Sequence, residues 1–203
     1  MEFLVDMTTT VPDGTTQDEI AQMRSREAVR SAELTEQGVL LRLWRPPLQP
    51  GEWRSYGLFA AADAEEVELA LGSMPLRVWR TDVVTPLSGH QNDPLGRQGS
   101  REAAPGTEFF TWFRFAIPAD TDPSALARAS EGEARRTAEL ALAGRLLRLW
   151  ELPGDGRALG LWSAVSEDGL RVDLDSLPLV DWLEVEVTAL TAHPSDPAQV
   201  SVG

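Results

Sequence analysis

The sequence repeats itself once, and this repeat constrains the fold more than any other feature of the chain. Residues 2–44 align with residues 108–150 at an offset of 106, with 17 identities in 43 positions. After a three-residue deletion, residues 54–94 align with residues 157–197, with 15 identities in 41 positions. Two copies of one structural unit are therefore predicted.

The repeat boundaries divide the chain into two domains of similar length. Repeat 1 covers residues 1–90 and repeat 2 covers residues 108–203. Residues 91–107 read QNDPLGRQGSREAAPGT. Glycine, proline and charge without hydrophobic periodicity are typical of a linker, so we predict one here.

Each repeat shows the same order of strand and helix patterns. Alternating apolar and β-branched residues predict strands, and apolar stripes that end at a glycine predict helices. The elements predicted for repeat 1 are, in order, strand Phe3–Val11, helix Thr16–Gln37, strands Val39–Arg45 and Arg54–Ala62, helix Ala64–Leu71 and strand Arg77–Leu87. The order β-α-β-β-α-β is that of the ferredoxin-like unit, so the predicted fold class is α+β.

One face of each predicted sheet lacks a cover, because the two helices of such a unit lie on the other face. The second copy supplies a matching sheet within the same chain. We therefore expect the two units to form an intramolecular α+β barrel of the dimeric type. Any pocket is then expected at the seam between the sheets, with walls from both repeats.

Composition excludes several function classes. The chain has no cysteine and no lysine and a formal net charge of −14, which argues against disulfides, thiol or amine chemistry and nucleic-acid partners. No apolar run is long enough to span a membrane and no signal peptide follows Met1, so we expect a cytoplasmic protein without a membrane partner. No nucleotide or cofactor motif is present, and His90 and His193 alone do not make a metal site, so neither cofactor nor metal is expected.

A set of residues recurs in the same order in both repeats. In repeat 1 it comprises Pro12, Glu27, Glu33-Leu34, Gln37-Gly38, Leu43-Trp44-Arg45, Tyr56, Phe59, Ser73-Met74-Pro75-Leu76, Val84-Thr85-Pro86-Leu87 and His90. In repeat 2 it comprises Pro118, Glu133, Glu139-Leu140, Gly144, Leu149-Trp150, Ser176-Leu177-Pro178-Leu179, Val187-Thr188 and His193-Pro194-Ser195. This ordered set resembles the muconolactone isomerase family. The resemblance implies the dimeric α+β barrel fold, further assembly into homo-oligomers, and a cofactor-free proton shift on a small lactone acid.

Glu27 and Glu133 fall on the acidic residue that this family carries on its first helix, so the resemblance implies that they are the catalytic carboxylates. Arg30 and Arg136 follow three residues later, on the same helix face. We predict that each arginine pairs with its glutamate and contacts the substrate. The alternative is an exposed helix ion pair with no function.

Two arginine–tryptophan pairs lie on predicted strands. Arg42 and Trp44 point to the same face, as do Arg148 and Trp150, because they are two residues apart. Such pairs on a seam-facing strand are expected to bind an anion with an apolar body. The alternative is that the tryptophans belong to the core and the arginines reach to its rim.

The resemblance also places a site-facing tyrosine and asparagine of the family on Trp53 and Ser55 in repeat 1, and on Gly156 and Ala158 in repeat 2. We predict that Trp53, Ser55 and the neighbouring Tyr56 bind substrate. The small polar pair of the family is lost, while repeat 1 gains aromatic surface.

These features favour a cofactor-free isomerase or cyclase. Its substrate is expected to be a hydrophobic small molecule of lactone or polyketide type, in catabolism or secondary metabolism. Because repeat 1 keeps more of the candidate residues, we predict an active half-site around Glu27 and a degenerate one in repeat 2. The alternatives are a muconolactone delta-isomerase proper and a non-catalytic binding or scaffold protein.

Overall fold

The chain divides into two units that follow the repeat, except that the tails are exchanged. The computed structural model describes residues 1–97 and 103–200, so residues 98–102 of the predicted linker lie outside the described part. The first unit comprises Met1–Leu87 and Thr191–Gly203, and the second comprises Ser88–Leu190. Each unit is therefore one repeat completed by the last residues of the other.

Both repeats form the predicted series of elements. Repeat 1 contains β1 (Glu2–Thr9), α1 (Gln17–Glu36), β2 (Leu40–Arg45), β3 (Trp53–Ala60), α2 (Ala64–Gly72) and β4 (Arg80–Gly89). Repeat 2 contains β5 (Thr107–Phe115), α3 (Pro123–Leu142), β6 (Leu146–Glu151), β7 (Arg157–Ala164), α4 (Glu167–Asp175) and β8 (Leu183–Ala192). A short helix, α5 (Pro197–Val200), follows β8. The predicted order β-α-β-β-α-β is confirmed in each repeat.

The strands of each repeat pair in the ferredoxin-like order. In repeat 1, β1 pairs with both β3 and β4, and β3 also pairs with β2, all antiparallel. In repeat 2, β5 pairs with β7 and β8, and β7 pairs with β6, in the same sense. The predicted α+β class with antiparallel sheets is confirmed.

Local sequence signals fix the ends of α1. The Thr16 hydroxyl accepts a hydrogen bond from Glu19 N–H at 3.3 Å, and the Glu19 carboxylate accepts one from Thr16 N–H at 2.8 Å. This reciprocal pair is a capping box, which satisfies N–H groups that the first turn leaves unpaired. After the helix, Gly38 has a φ of 71°, a left-handed conformation that favours glycine.

One boundary differs from the sequence prediction. The fourth strand of repeat 1 was expected to begin at Arg77, but Pro75–Trp79 forms a 3₁₀ helix and β4 begins at Arg80. Proline is accepted at the first position of a helix because it needs no N–H donor there. The bond from Arg77 N–H to Met74 carbonyl, at 3.0 Å, closes this turn.

The apolar core of the first unit lies between its helices and its sheet. Leu34 of α1 and Val67 of α2 are buried with Phe3, Val5 and Phe59 of the sheet. Leu34, near the C-terminal end of α1, belongs to this core, whereas earlier residues of the helix, from Arg24 to Ser31, border a cavity. The candidate Glu27 lies in this middle part of the helix.

Candidate active site

A cavity of about 570 Å³ lies between α1 and the sheet of the first unit. Glu27 and Ser31 of α1, and Trp53 and Ser55 of β3, contribute to its lining together with His193 of the C-terminal tail. The cavity is therefore on the helix-bearing face of the sheet. This corrects the expectation that the pocket would lie on the opposite face, although a segment of repeat 2 does complete its wall.

Glu27 is held at the edge of this cavity by two donors. Its Oε2 accepts a hydrogen bond from Leu76 N–H at 2.8 Å, and its Oε1 accepts one from Arg80 Nη1 at 3.0 Å. Burial raises the pKa of Glu27, while the Leu76 N–H and the Arg80 guanidinium oppose the rise. A carboxylate with a raised pKa is a stronger base than an exposed one, which suits proton abstraction.

Arg80 joins Glu27 to a second buried carboxylate, Asp82. Arg80 Nε donates to Asp82 Oδ1 at 2.6 Å and Nη2 donates to Oδ2 at 3.1 Å. Arg77 also donates to Asp82. Only 3% of the Arg80 side chain is exposed and none of Asp82. The guanidinium is thus fixed on Asp82 and directed at Glu27.

His193 borders the cavity as a neutral imidazole. Its Nδ1 accepts a hydrogen bond from Ser195 N–H at 3.1 Å, so the neutral ring carries its proton on Nε2. Burial lowers the pKa of His193 to about 4, with Arg45 adding to the effect and Asp196 opposing it. At neutral pH the ring therefore offers a donor, Nε2–H, without a positive charge.

The rim of the cavity carries two further arginines. The Arg24 guanidinium stacks on the Trp53 ring at 3.9 Å from its centroid, and Arg45 ends strand β2. Both border the cavity, and within the described residues neither has a carboxylate partner. These two cations next to an aromatic face favour a ligand with an acidic end and an apolar body.

The expected pairing of each candidate glutamate with the arginine three residues later does not form. Arg30 instead donates to Glu33 at 2.7 Å and to Ser73 at 2.8 Å. Arg136 repeats this arrangement with Glu139 and Ser176. The prediction of the pairing was wrong because Glu27 turns toward the sheet, where a backbone N–H and Arg80 bind it.

Three other predicted binders of repeat 1 lie away from the cavity. Trp44 and Tyr56 are buried on the opposite face of the sheet, since they alternate with the cavity-lining Leu43 and Ser55. Arg42 stacks over Trp44 at 4.7 Å. The structure therefore brings together Glu27, Trp53 and Ser55, and leaves these three residues outside.

The arginine and tryptophan predicted in repeat 2 are arranged in the same way. Arg148 lies over the Trp150 ring at 4.5 Å and pairs with the buried Asp93 at 3.2 Å. Trp150 is buried, and neither residue borders the cavity of the second unit. Asp93 lies at the start of the predicted linker, so this first part of the linker is bound to the second unit.

The second unit has a cavity of only about 140 Å³, bordered by Glu133. Leu179 N–H donates to Glu133 Oε2 at 3.1 Å, and burial raises the pKa of this carboxyl. Leu183 stands where repeat 1 has Arg80, and among the described residues no arginine pairs with Glu133. Phe113 and Phe115 replace the smaller Met7 and Thr9 at the lining positions. These larger side chains account for the smaller volume.

Two kinds of feature are absent from residues 1–97 and 103–200. No helix there is long and apolar enough to cross a membrane. In the same residues, no three histidine or acidic side chains are grouped so as to hold a metal ion.

The chain is similar to known proteins in both sequence and fold. The family model for muconolactone delta-isomerase matches residues 1–93 and 107–196. Muconolactone delta-isomerase of Rhodococcus opacus is 31% identical over 81 residues, 40% of this chain and 87% of the relative. That of Pseudomonas aeruginosa is 29% identical over 79 residues, 39% of this chain and 82% of the relative.

A likeness to a solved structure covers nearly the whole chain. A mutant chlorite dismutase from Candidatus Nitrospira defluvii is 12% identical and superposes with a TM-score of 0.59, covering 95% of this chain and 92% of its own. At this identity the likeness shows the fold alone. It agrees with the predicted fold class.

Proposed function

Because this chain belongs to the muconolactone delta-isomerase family, we propose that it is an enzyme that moves a proton on a small molecule without a cofactor. The reaction takes place in the 570 Å³ cavity of the first unit. The observation that carries this proposal is Glu27, a buried carboxylate of raised pKa that borders a cavity large enough for a ligand.

The cavity suits an acidic molecule with an apolar body. Leu43 and Met74 are buried apolar side chains of its lining, and Trp53 adds an aromatic face. Arg24 and Arg45 offer guanidinium groups to a carboxylate at the rim. A ligand held at both ends in this way is oriented for reaction, which lowers the entropic cost of the chemical step.

Glu27 acts as the base that takes a proton from carbon. A carbon next to a carbonyl or lactone group gives up its proton to the carboxylate, and the electron pair moves onto the carbonyl oxygen as an enolate. His193 Nε2–H and the Ser55 hydroxyl are the donors that stabilise this oxygen. Protonated Glu27 then returns the proton to another carbon of the same molecule, which completes an isomerisation. If the enolate carbon instead adds to a second carbonyl of the same molecule, the new C–C bond closes a ring, the π electrons of that carbonyl move to its oxygen, and Glu27 returns its proton to this oxygen.

The substrate is proposed to be bulkier and more apolar than muconolactone. Trp53 and Ser55 stand where the resemblance places a tyrosine and an asparagine of the family, so hydrogen bonds to a small lactone acid are lost. A site without such donors discriminates poorly in favour of the smaller polar substrate. Negligible turnover of muconolactone is therefore expected.

Deuterium exchange tests the proposal without knowledge of the product. The protein is incubated in D₂O with a panel of unsaturated lactone acids, muconolactone and bulkier analogues, and the loss of the C–H signal is followed by proton NMR. Exchange is expected with a bulky acid, and the Glu27→Gln variant should slow it by about 100-fold or more. The Glu133→Gln variant is the matched control and should exchange as fast as the natural chain.

Three results contradict parts of this proposal. Equal losses from both variants would show that the two half-sites are equivalent. Muconolactone turnover at an ordinary rate of about 1–1000 per second would make the protein a muconolactone delta-isomerase proper. Tight binding of a panel compound without exchange would make it a binding protein.

A further inference from the structure

One buried side chain of the C-terminal tail, Asp196, binds strand β2 of the first unit. Its Oδ1 accepts hydrogen bonds from Leu43 N–H at 3.0 Å and from Arg42 Nε at 3.1 Å. Its Oδ2 accepts a further bond from Arg42 Nη2 at 3.1 Å. The carboxylate is fully buried, and strand β2 supplies a donor to each of its oxygens.

The same turn carries His193. Asp196 N–H donates to the His193 carbonyl at 2.8 Å, and His193 N–H donates to the Leu43 carbonyl at 3.2 Å. Ser195 N–H binds the imidazole Nδ1. His193, whose imidazole borders the cavity, and Asp196, whose carboxylate binds β2, are therefore the first and last residues of one short turn.

The arrangement is built twice. In the second unit, Asp93 accepts from Leu149 N–H at 3.0 Å and from Arg148 Nη2 at 3.2 Å. Asp93 N–H donates to the His90 carbonyl at 2.9 Å, and Asn92 N–H donates to His90 Nδ1 at 3.1 Å. Because the same bonds recur at matching positions, the turn is a constant part of the fold rather than a feature of one tail.

We propose that Asp196 is a positioning residue that fixes His193 at the border of the first cavity with its Nε2–H as the available donor. Asp196 acts through the turn and does not itself border the cavity. The effect of this positioning on catalysis rests on the proposed function, whereas the positioning itself does not.

Two effects of Asp196 on His193 have opposite signs, which makes the proposal testable. The negative charge of Asp196 favours the protonated ring, so loss of the charge alone would lower the pKa of His193 below about 4. Release of the turn would instead expose the ring and raise its pKa toward the ordinary value of about 6.5. The other charged groups that border this cavity are Arg24, Glu27, Arg45, Glu52, Arg54 and Arg80.

The experiment follows both histidines by NMR in the full chain, which contains only two. Nitrogen-15 spectra over a range of pH give the pKa and the tautomer of each ring. In the Asp196→Ala variant, the pKa of His193 should rise toward about 6.5 and the pure Nε2–H tautomer should give way to a mixture. The Asp93→Ala variant is the matched control and should change His90 only.

A lower pKa with an unchanged tautomer in Asp196→Ala would overturn the proposal, because the residue would then act through charge alone. Equal changes at both histidines would overturn it as well. If Asp196→Ala does not fold, the Arg42→Gln variant replaces it, because it weakens the same attachment and keeps the charge of Asp196. An unchanged His193 tautomer in Arg42→Gln would contradict the proposal. The same variant is also tested in the deuterium-exchange assay. If its NMR spectra show that the Nε2–H tautomer is lost while its exchange rate is unchanged, the positioning role is supported and His193 is excluded as the enolate donor.

Discussion

Replacement of Arg80 by leucine, the residue that repeat 2 has at this position, should strongly destabilise the first unit. The side chain of Arg80 is 3% exposed and lies between Glu27, which is 12% exposed, and the fully buried Asp82. Removal of one partner of a buried ion pair costs about 3–5 kcal/mol, because the remaining charge stays desolvated. Arg77 still binds Asp82, so we expect the lower end of this range, about 3 kcal/mol.

The loss of stability should depend on pH. Burial already raises the pKa of Glu27, and Arg80 is one of the groups that oppose the rise. Without Arg80 the pKa in the folded state lies further above the unfolded value of 4.5. A carboxyl whose pKa is raised on folding binds its proton more tightly in the native state, so stability falls as pH rises between the two values. The destabilisation should therefore be fully present at pH 8 and smaller near pH 5.

Urea unfolding followed by tryptophan fluorescence measures this effect, since the chain has seven tryptophans. The control is Arg114→Leu, which removes an exposed ion pair with Glu184, whose side chains are 66% and 61% accessible. That variant should lose less than about 1 kcal/mol at either pH. The reasoning is refuted if Arg80→Leu loses no more than the control, or if its loss is larger at pH 5 than at pH 8.

Two further predictions concern the second unit. Glu133→Gln should raise the free energy of unfolding by about 1 kcal/mol at pH 8 and leave it unchanged near pH 4, because the amide keeps an acceptor for Leu179 N–H and removes a buried charge. Urea titrations at both pH values measure this difference. Equal effects at the two pH values would contradict the prediction. Gly160→Ala should cost about 1–3 kcal/mol, since a methyl group there overlaps a hydrogen-bonded indole and hydroxyl. Gly72→Ala, with nothing within 4 Å of the added atom, is its control and should be close to neutral in thermal unfolding.

The fold was predictable because its signals are local or repeated. Capping residues, helix-terminating glycines and strand alternation act over a few positions. The duplication also allowed each predicted element to be compared between two copies. The start of β4 was missed because Pro75 reads as a break in sequence, whereas the chain uses it to begin a 3₁₀ turn. The exchange of tails was also missed, since nothing in the sequence shows which unit a tail joins.

The candidate site was predictable only where the family resemblance named positions. Glu27, Trp53 and Ser55 border the cavity, and their contact with a substrate stays a prediction. Arg80 was missed because its partner is 53 positions away, beyond any helical spacing. A signal was nevertheless present in the sequence. Arg80 of repeat 1 aligns with Leu183 of repeat 2, and such an exchange between a charged and an apolar residue indicates that the two positions have different surroundings.

The shared face of Arg42 and Trp44 was predictable from their spacing, but the irregular start of β2 was not. Strict alternation places Leu40 on the same face as Arg42. The register shifts between these two residues, and Leu40 joins Leu43 in the core beneath the helices. Arg42 stays on the face of Trp44, where its side chain pairs with Asp196.

The two glutamates are set up for different chemistry by what surrounds them. Burial raises the pKa of both Glu27 and Glu133, but only Glu27 has a guanidinium that stabilises its ionised form. Within residues 1–97 and 103–200, the ionised form of Glu133 is stabilised by the Leu179 N–H and by no arginine. Glu133 borders a cavity of about 140 Å³, against about 570 Å³ at Glu27, so we expect a substrate to bind in the first unit. The duplication thus keeps the tail attachment in both units, while the base role is proposed for Glu27 alone.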